Sequence, residues 1–242
     1  MSGTHHALDH SGGGMLHQSG ARVLLSRVGL SRASTEPLPL DSAEVAHLLG
    51  APAFRSPVRN LAGRLGRPEE DVLGEAAGDL REMSATHNVA VISQWQRFGQ
   101  WMRRGYDTLV DEEALAGLRE LDRKHSLIFL ISHRSYLDEW VLLPALLSSG
   151  ISPPYGLAGA NLNFFPLGTV ARRTGVVHIR RSTSDAPVYR LALRAYIGQL
   201  VANRANLVWS IEGGRSRTGK LRPPRYGLLR YVVDAVEAVE AP

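Results

Sequence analysis

The sequence predicts an α/β fold in which a helical N-terminal region precedes an α/β domain. Two observations carry that prediction. Short branched or aromatic apolar runs at 127–131, 176–182 and 207–211 alternate with stretches of helical pattern, as strands joined by helices in a substantially parallel sheet would. From about 41 to 123 the pattern is helical instead. The expected organisation is a disordered tail over 1–35, a helical region over 36–124 and the α/β domain over 125–242.

Each element has its own signal. Residues 1–20 are rich in glycine, serine and histidine without periodicity, which predicts a disordered start. His5, His6, His10 and His17 could bind a metal there, but they read as part of a floppy tail. Glu36-Pro37-Leu38-Pro39-Leu40 predicts an extended linker. Asp41 or Ser42 can cap a helix ending near Gly50. Pro68 with Glu69, Glu70 and Asp71 starts another, with proline in the first turn and acids at the positive end of the dipole, running to about Ser84. A longer helix is expected from Val91 to about Val110. It carries Trp95, Phe98, Trp101 and Met102 at helical spacing, with Arg97, Arg103 and Arg104 nearby. That stripe fits either packing on the next part of the fold or an interfacial helix lying on a membrane. One more helix covers 112–124 and leads into the strand at 127–131. A helix containing 141–147 follows, then a glycine-bearing segment at 156–168 and the strand-like run at 176–182. A helix at 188–203 and the strand at 207–211 complete the series.

Composition narrows the chemistry. The chain has no cysteine, which excludes disulfides, thiolate metal sites and a cysteine nucleophile. No apolar run reaches the ~18 residues of a spanning helix, and the N-terminus lacks a basic-then-apolar signal pattern. The formal charge of +5 is unevenly placed: residues 172–230 hold 13 basic side chains against two acidic ones, Asp185 and Glu212. Such a stretch suits an anionic partner, whether phosphate ester, acidic lipid or nucleic acid, or simply a solvated basic face.

His133 and Asp138 stand where a strand ends and a helix begins. Five residues apart on one continuous helix they would diverge by roughly 140°, so they can meet only across a bend, which a strand–loop–helix junction supplies. A carboxylate accepting one imidazole N–H fixes the tautomer, leaves the other nitrogen as a base, and stabilises the imidazolium once the proton has moved. The same residues also permit a plain capping box, Ser135-x-x-Asp138.

The stretch Glu212-Gly213-Gly214-Arg215-Ser216-Arg217-Thr218-Gly219-Lys220 supplies glycines that let backbone N–H groups approach an oxyanion, and arginines that grip phosphate bidentately. Its last seven residues fit the start of a P-loop, but Leu221 stands where the magnesium-binding hydroxyl belongs. No Gly-x-Ser-x-Gly elbow and no His-Glu-x-x-His motif occur. A base without a protein nucleophile points to a hydroxyl on the substrate.

Three segments together, His133 to Asp138, Gly159 to Ser182 and Ile211 to Lys220, resemble the bacterial membrane-bound glycerol-3-phosphate acyltransferases of the HxxxxD acyltransferase superfamily. The resemblance implies acyl transfer from acyl-CoA or acyl carrier protein to the 1-hydroxyl of glycerol 3-phosphate, with no cofactor or metal. By it, His133 is the general base and Asp138 its orienting carboxylate. Arg181, Glu212, Gly213, Arg215 and Arg217 bind glycerol 3-phosphate, with Arg180 and Arg172 as weaker candidates. It also implies work in phospholipid synthesis at an anionic membrane surface, as a peripheral protein of the cytoplasmic face, and no nucleic-acid partner. Dihydroxyacetone-phosphate and lysophosphatidate acyltransferases are the nearest enzyme alternatives. An arginine-rich nucleic-acid-binding domain or an inactive lipid-surface module is the alternative of another class. Val177 and His178 replace aromatic residues common in the family before the double arginine, and His178 reads as a strand histidine on the pocket wall. The family's fourth motif, a proline-bearing apolar strand, is absent before Pro242, so the α/β domain is expected to be incomplete at its C-terminal end.

Overall fold

A computed structural model describes residues 42–160 and 167–240. The tail and linker expectations, and Asn161 to Pro166 within the second family segment, lie outside those residues.

Among the described residues five helices come first: α1 (Ser42–Gly50), α2 (Pro52–Leu65), α3 (Glu69–Met83), α4 (Val89–Met102) and α5 (Glu112–Asp122). Strands and helices then alternate as β1 (Ile128–Ile131), α6 (Asp138–Ser148), β2 (Tyr155–Gly159), α7 (Leu167–Arg173), β3 (Val176–Ile179), α8 (Pro187–Ala202), β4 (Leu207–Ser210) and α9 (Gly227–Glu240). All strand pairs are parallel, in the order β1-β4-β2-β3. The expected α/β class is therefore the observed one, and every strand delivers its following loop to the same edge of the sheet.

Several elements differ from expectation. The helix expected over 91–110 stops at Met102, where Arg103 closes the last turn by donating its N–H to the Gly99 carbonyl. Asn88 begins it, accepting from the Val91 N–H at 3.0 Å. Helix α2 was not foreseen, because Pro57 sits inside it and an interior proline normally ends a helix. Gly66, at φ 62°, then terminates it with N–H bonds back to Ala62 and Gly63. Strand β2 falls in the glycine-bearing segment that had no assigned element, and helix α7 runs from the end of that segment to Arg173. Gly156 lies between the side chains of Val176 and Val208, which an ideal Cβ would meet at 3.8 and 3.9 Å, ordinary van der Waals contact.

One core joins the helical region to the sheet. Val45, Phe54, Val58, Val72, Leu80 and Met83 pack in one buried cluster with Leu157, Val177, Leu207, Trp209 and the inner face of α8. Residues 124 and 125 therefore mark a change of secondary structure within a shared core. One face of β1 carries a separate, smaller cluster, where Leu127 and Phe129 pack around Leu115, Leu146 and Ile151. The amino end of β1 is stitched by Asn206, which is buried. Its Oδ1 accepts the Leu127 N–H at 2.7 Å and its amide donates to Asp122 and to the Ser152 carbonyl.

The start of β3 is held from outside. Thr86 and Asn88 donate their N–H groups to the carbonyls of Arg172 and Arg173, each at 2.8 Å. Between them His87 packs on Tyr155, its ring 4.2 Å away, and donates Nε2–H to the Pro154 carbonyl. Gly175, at φ 90°, lies flat against that imidazole; a Cβ there would stand 2.1 Å from Nε2. Burial lowers the His87 pKa to about 4, only partly offset by the Pro154 bond. The unfolded chain would therefore bind a proton near pH 6.5 that the fold refuses. Stability is expected to be full above about pH 6.5 and to fall as pH drops toward 4, by at most about 3 kcal/mol from this group. Denaturant unfolding across that window checks it: His87→Gln should have a shallower pH slope than the parent.

Candidate active site

The site grows from the carboxyl ends of two neighbouring strands. Strands β1 and β4 pair in register from Ile128 with Leu207 to Ile131 with Ser210, and the Ile211 N–H continues the ladder to the Ile131 carbonyl at 3.3 Å. Ser132 and His133 therefore leave the sheet beside Glu212 and Gly213.

After His133 the chain bends and α6 begins at Asp138, as the spacing required. One carboxylate oxygen does the work of the bend. Asp138 Oδ2 accepts from His133 Nδ1 at 2.8 Å, from the Arg134 N–H at 2.8 Å and from the Ser135 N–H at 3.0 Å. The alternative capping box does not form, since Leu137 precedes the helix without a side-chain cap and the Asp138 carboxylate holds the N–H groups of the turn instead. The Ser135 hydroxyl completes the turn by accepting the Leu137 N–H at 3.1 Å. Desolvation pushes the Asp138 carboxyl up, but the Ser135 N–H, the His133 imidazole and the Arg134 N–H outweigh it and hold the group below the usual range. An ionised carboxylate only accepts, so Nδ1 carries the hydrogen and Nε2 is left as a base. The His133 side chain retains 30% of its accessible surface, enough for a substrate hydroxyl to reach it.

The arginine-bearing loop is sewn to this turn at three points. The Ser132 hydroxyl donates to Glu212 Oε1 at 2.8 Å, the Ser216 N–H donates to the His133 carbonyl at 2.8 Å, and the Arg215 guanidinium stacks on the Tyr136 ring at 4.5 Å. Glu212 itself is buried, and its second oxygen accepts the Arg222 N–H at 3.1 Å. It holds the loop from inside. Gly213, at φ 71°, turns the chain beneath Arg225, whose Cδ would lie 2.6 Å from any added Cβ. Arg217 is exposed at the rim.

The two adjacent arginines after β3 have different fates. Arg180 is engaged: it pairs with buried Asp79 at 2.9 Å and with Glu82, and lies over the Tyr189 ring at 4.5 Å. Its own N–H donates to the Tyr189 hydroxyl at 3.0 Å. Arg181, by contrast, projects from an exposed position past the same edge of the sheet. Strand β3 lies three strand spacings from β1, about 14 Å, so Arg181 stands across the sheet edge from His133. Arg172 lies in α7 with a buried Nε. His178 is fully buried in β3. Among the described residues no group of three or more His, Asp or Glu is placed to hold a metal.

Sequence reasoning missed Ser132, Tyr136 and Ser216, because their partners lie about 80 residues away and no local pattern announces such contacts. It also left the aromatic stripe open between two uses, and the structure divides it. Trp95 packs on Trp140 and donates Nε1–H to Glu139 at 2.9 Å, while Gly99 lies against the Trp140 ring. Phe98 and Trp101 remain 44% and 56% exposed. A cleft of about 330 Å³ between α4 and α7 is lined by Val91, Gln94, Trp95, Thr169, Val170 and Arg173.

Residues 114–242 match the acyltransferase family, more than half of the chain. The chain belongs to the acyltransferase family. It is also 52% identical over 223 residues to proteins named "Putative acyltransferase plsB1" from Mycobacterium bovis and from two strains of Mycobacterium tuberculosis. The match takes in 92% of this chain and 36% of each relative. The chain therefore spans little more than a third of the length of these curated relatives. The part matching the family begins within α5 and includes the dyad, all four strands and the arginine-bearing loop.

The Glu212 contacts give a stability expectation. Glu212→Gln keeps the shape but replaces one buried acceptor oxygen by a donor, which should cost about 1.5–3 kcal/mol. Arg217→Ala, at an exposed position, should change stability by no more than about 0.5 kcal/mol. Denaturant unfolding of the two variants side by side measures the difference.

Proposed function

We propose that this chain carries the acyl-transfer centre of a glycerol-3-phosphate 1-O-acyltransferase. The donor would be acyl-CoA or acyl carrier protein, and no further cofactor is required. The observation that carries the reading is the physical union of an ordered imidazole base with an arginine-bearing loop on neighbouring strands. A base alone would suit many reactions. A base beside cationic side chains suits an acceptor that has both a hydroxyl and a phosphate.

In this reading Arg215 and Arg217 hold the phosphate from the β4 loop, and Arg181 reaches toward it from beyond β3. His133 Nε2 takes the proton of the 1-hydroxyl as its oxygen attacks the thioester carbonyl. The new C–O bond forms, the tetrahedral intermediate collapses, and the C–S bond breaks. The thiolate leaves with the proton that His133 returns. Asp138 stabilises the imidazolium in between.

The decisive measurement is thiol release from acyl-CoA with and without sn-glycerol 3-phosphate, with dihydroxyacetone phosphate and lysophosphatidate as competing acceptors. Release that depends on glycerol 3-phosphate and yields 1-acyl-glycerol 3-phosphate is expected. His133→Ala should lower that rate by about 10²–10⁴ while glycerol 3-phosphate binding, followed by titration calorimetry, stays within a few-fold. A variant turning over at the parent rate would remove His133 from the chemistry.

The same reading places the reaction at an anionic membrane surface on the cytoplasmic face, since its product is an amphiphile. No described helix is long and apolar enough to cross a membrane. The support for contact is the exposed apolar surface of Phe98, Trp101, Tyr106 and Leu109, with Arg104 lying 4.7 Å above the Trp101 ring. Basic side chains near anionic lipid contribute about 1 kcal/mol each and are screened by salt, whereas aromatic insertion is not. Co-sedimentation with phosphatidylglycerol-containing vesicles should therefore weaken but persist at high salt. The double substitution of Phe98 and Trp101 by Ala should remove the persistent part.

A further inference from the structure

Tyr136 sits inside the histidine–aspartate motif but has no part in the proton transfer just described. Its ring is 68% exposed, so nothing in the core depends on it. It nevertheless lies between the two working groups of the site. On one side the His133 ring stands edge-on to it, with centroids 6.5 Å apart and planes at 77°. On the other the Arg215 guanidinium lies over its face at 4.5 Å.

An arginine on a loop has rotamer entropy to lose when it binds an anion. Stacking on an aromatic face removes part of that loss in advance, because the ring holds the guanidinium plane while leaving its N–H edge free. The loop's backbone is already fixed by Ser216 and Glu212. The Tyr136 ring extends that order to the end of the Arg215 side chain.

We propose that Tyr136 is a positioning residue for the acceptor. Its aromatic face parks Arg215 one ring away from His133, so that a phosphomonoester gripped by Arg215 presents its own hydroxyl to Nε2. The proposal rests on the acceptor reading above and adds a residue to it. Tyr136 works through its ring and not its hydroxyl, and it works only through Arg215.

Titration calorimetry on the whole chain tests both statements, with sn-glycerol 3-phosphate and inorganic phosphate as separate probes. Tyr136→Leu should weaken binding of both by roughly two- to thirtyfold, the range open to a cation–π contact, with an unchanged melting temperature. Tyr136→Phe should bind like the parent. In an Arg215→Ala background, Tyr136→Leu should have no further effect. Parent-like binding by Tyr136→Leu, failure of Phe to rescue, or additive losses in the double variant would each overturn the proposal. If the Tyr136 dependence holds for inorganic phosphate but glycerol 3-phosphate binds no better, the positioning role stands and the choice of acceptor falls. A parent that binds neither probe overturns both.

Discussion

A single oxygen, Asp138 Oδ2, sets the terms for the centre of this fold. Three N–H groups converge on it: two from the backbone of the turn and one from the imidazole. The backbone donors fix the bend between β1 and α6. The imidazole donor fixes the tautomer of the base. The negative charge also lies at the start of α6, where the helix dipole favours it. Holding the turn and orienting the base could have fallen to different groups. Here the geometry makes them inseparable, since the turn that places Asp138 under the imidazole is the turn that its own carboxylate stabilises.

Around that point the sheet order does the rest. Because β4 pairs directly with β1, the loops carrying His133 and Arg215 are adjacent although distant in sequence. Because β3 lies at the far edge, Arg181 leaves the same end of the sheet from across it. The pair Arg180 and Arg181 shows how neighbouring identical side chains divide labour. Arg180 is absorbed by Asp79, Glu82 and Tyr189, tying α3 to the end of β3. That clamp fixes the backbone from which Arg181 projects. The helical region thus contributes to the site indirectly, by holding one of its edges in place.

Much of this was legible in the sequence where the signal was local. Strands β1, β3 and β4 announce themselves as apolar runs, and the five-residue spacing of His133 and Asp138 demanded the bend that is observed. Strand β2 was illegible because Gly156 and Gly159 stand where branched residues would announce a strand. Helix α2 was hidden by an interior proline. The separate fates of Arg180 and Arg181 could not be read either, since the deciding partners, Asp79 and Glu82, lie about 100 residues upstream. The same holds for Tyr136 with Arg215, and for Ser132 with Glu212. Chemistry-bearing residues were visible as motifs, but the contacts that aim them are non-local.

The pairing of β1 with β4 has a consequence for the order in which the protein becomes competent. Strand β1 sits at the sheet edge and has β4 as its neighbour there, yet about 80 residues separate the contacts that join them. Closing so long a loop is entropically costly and comes late relative to local contacts. Until β4 is made and docked, Ser132 and the His133 carbonyl lack the partners that hold them. Under the proposed acyl transfer, a base able to activate water before the arginine-bearing loop is in place would waste the acyl donor by hydrolysis. The arginine-bearing loop reaches the base only once β4 has docked on β1, so the two become one site in a late, non-local step.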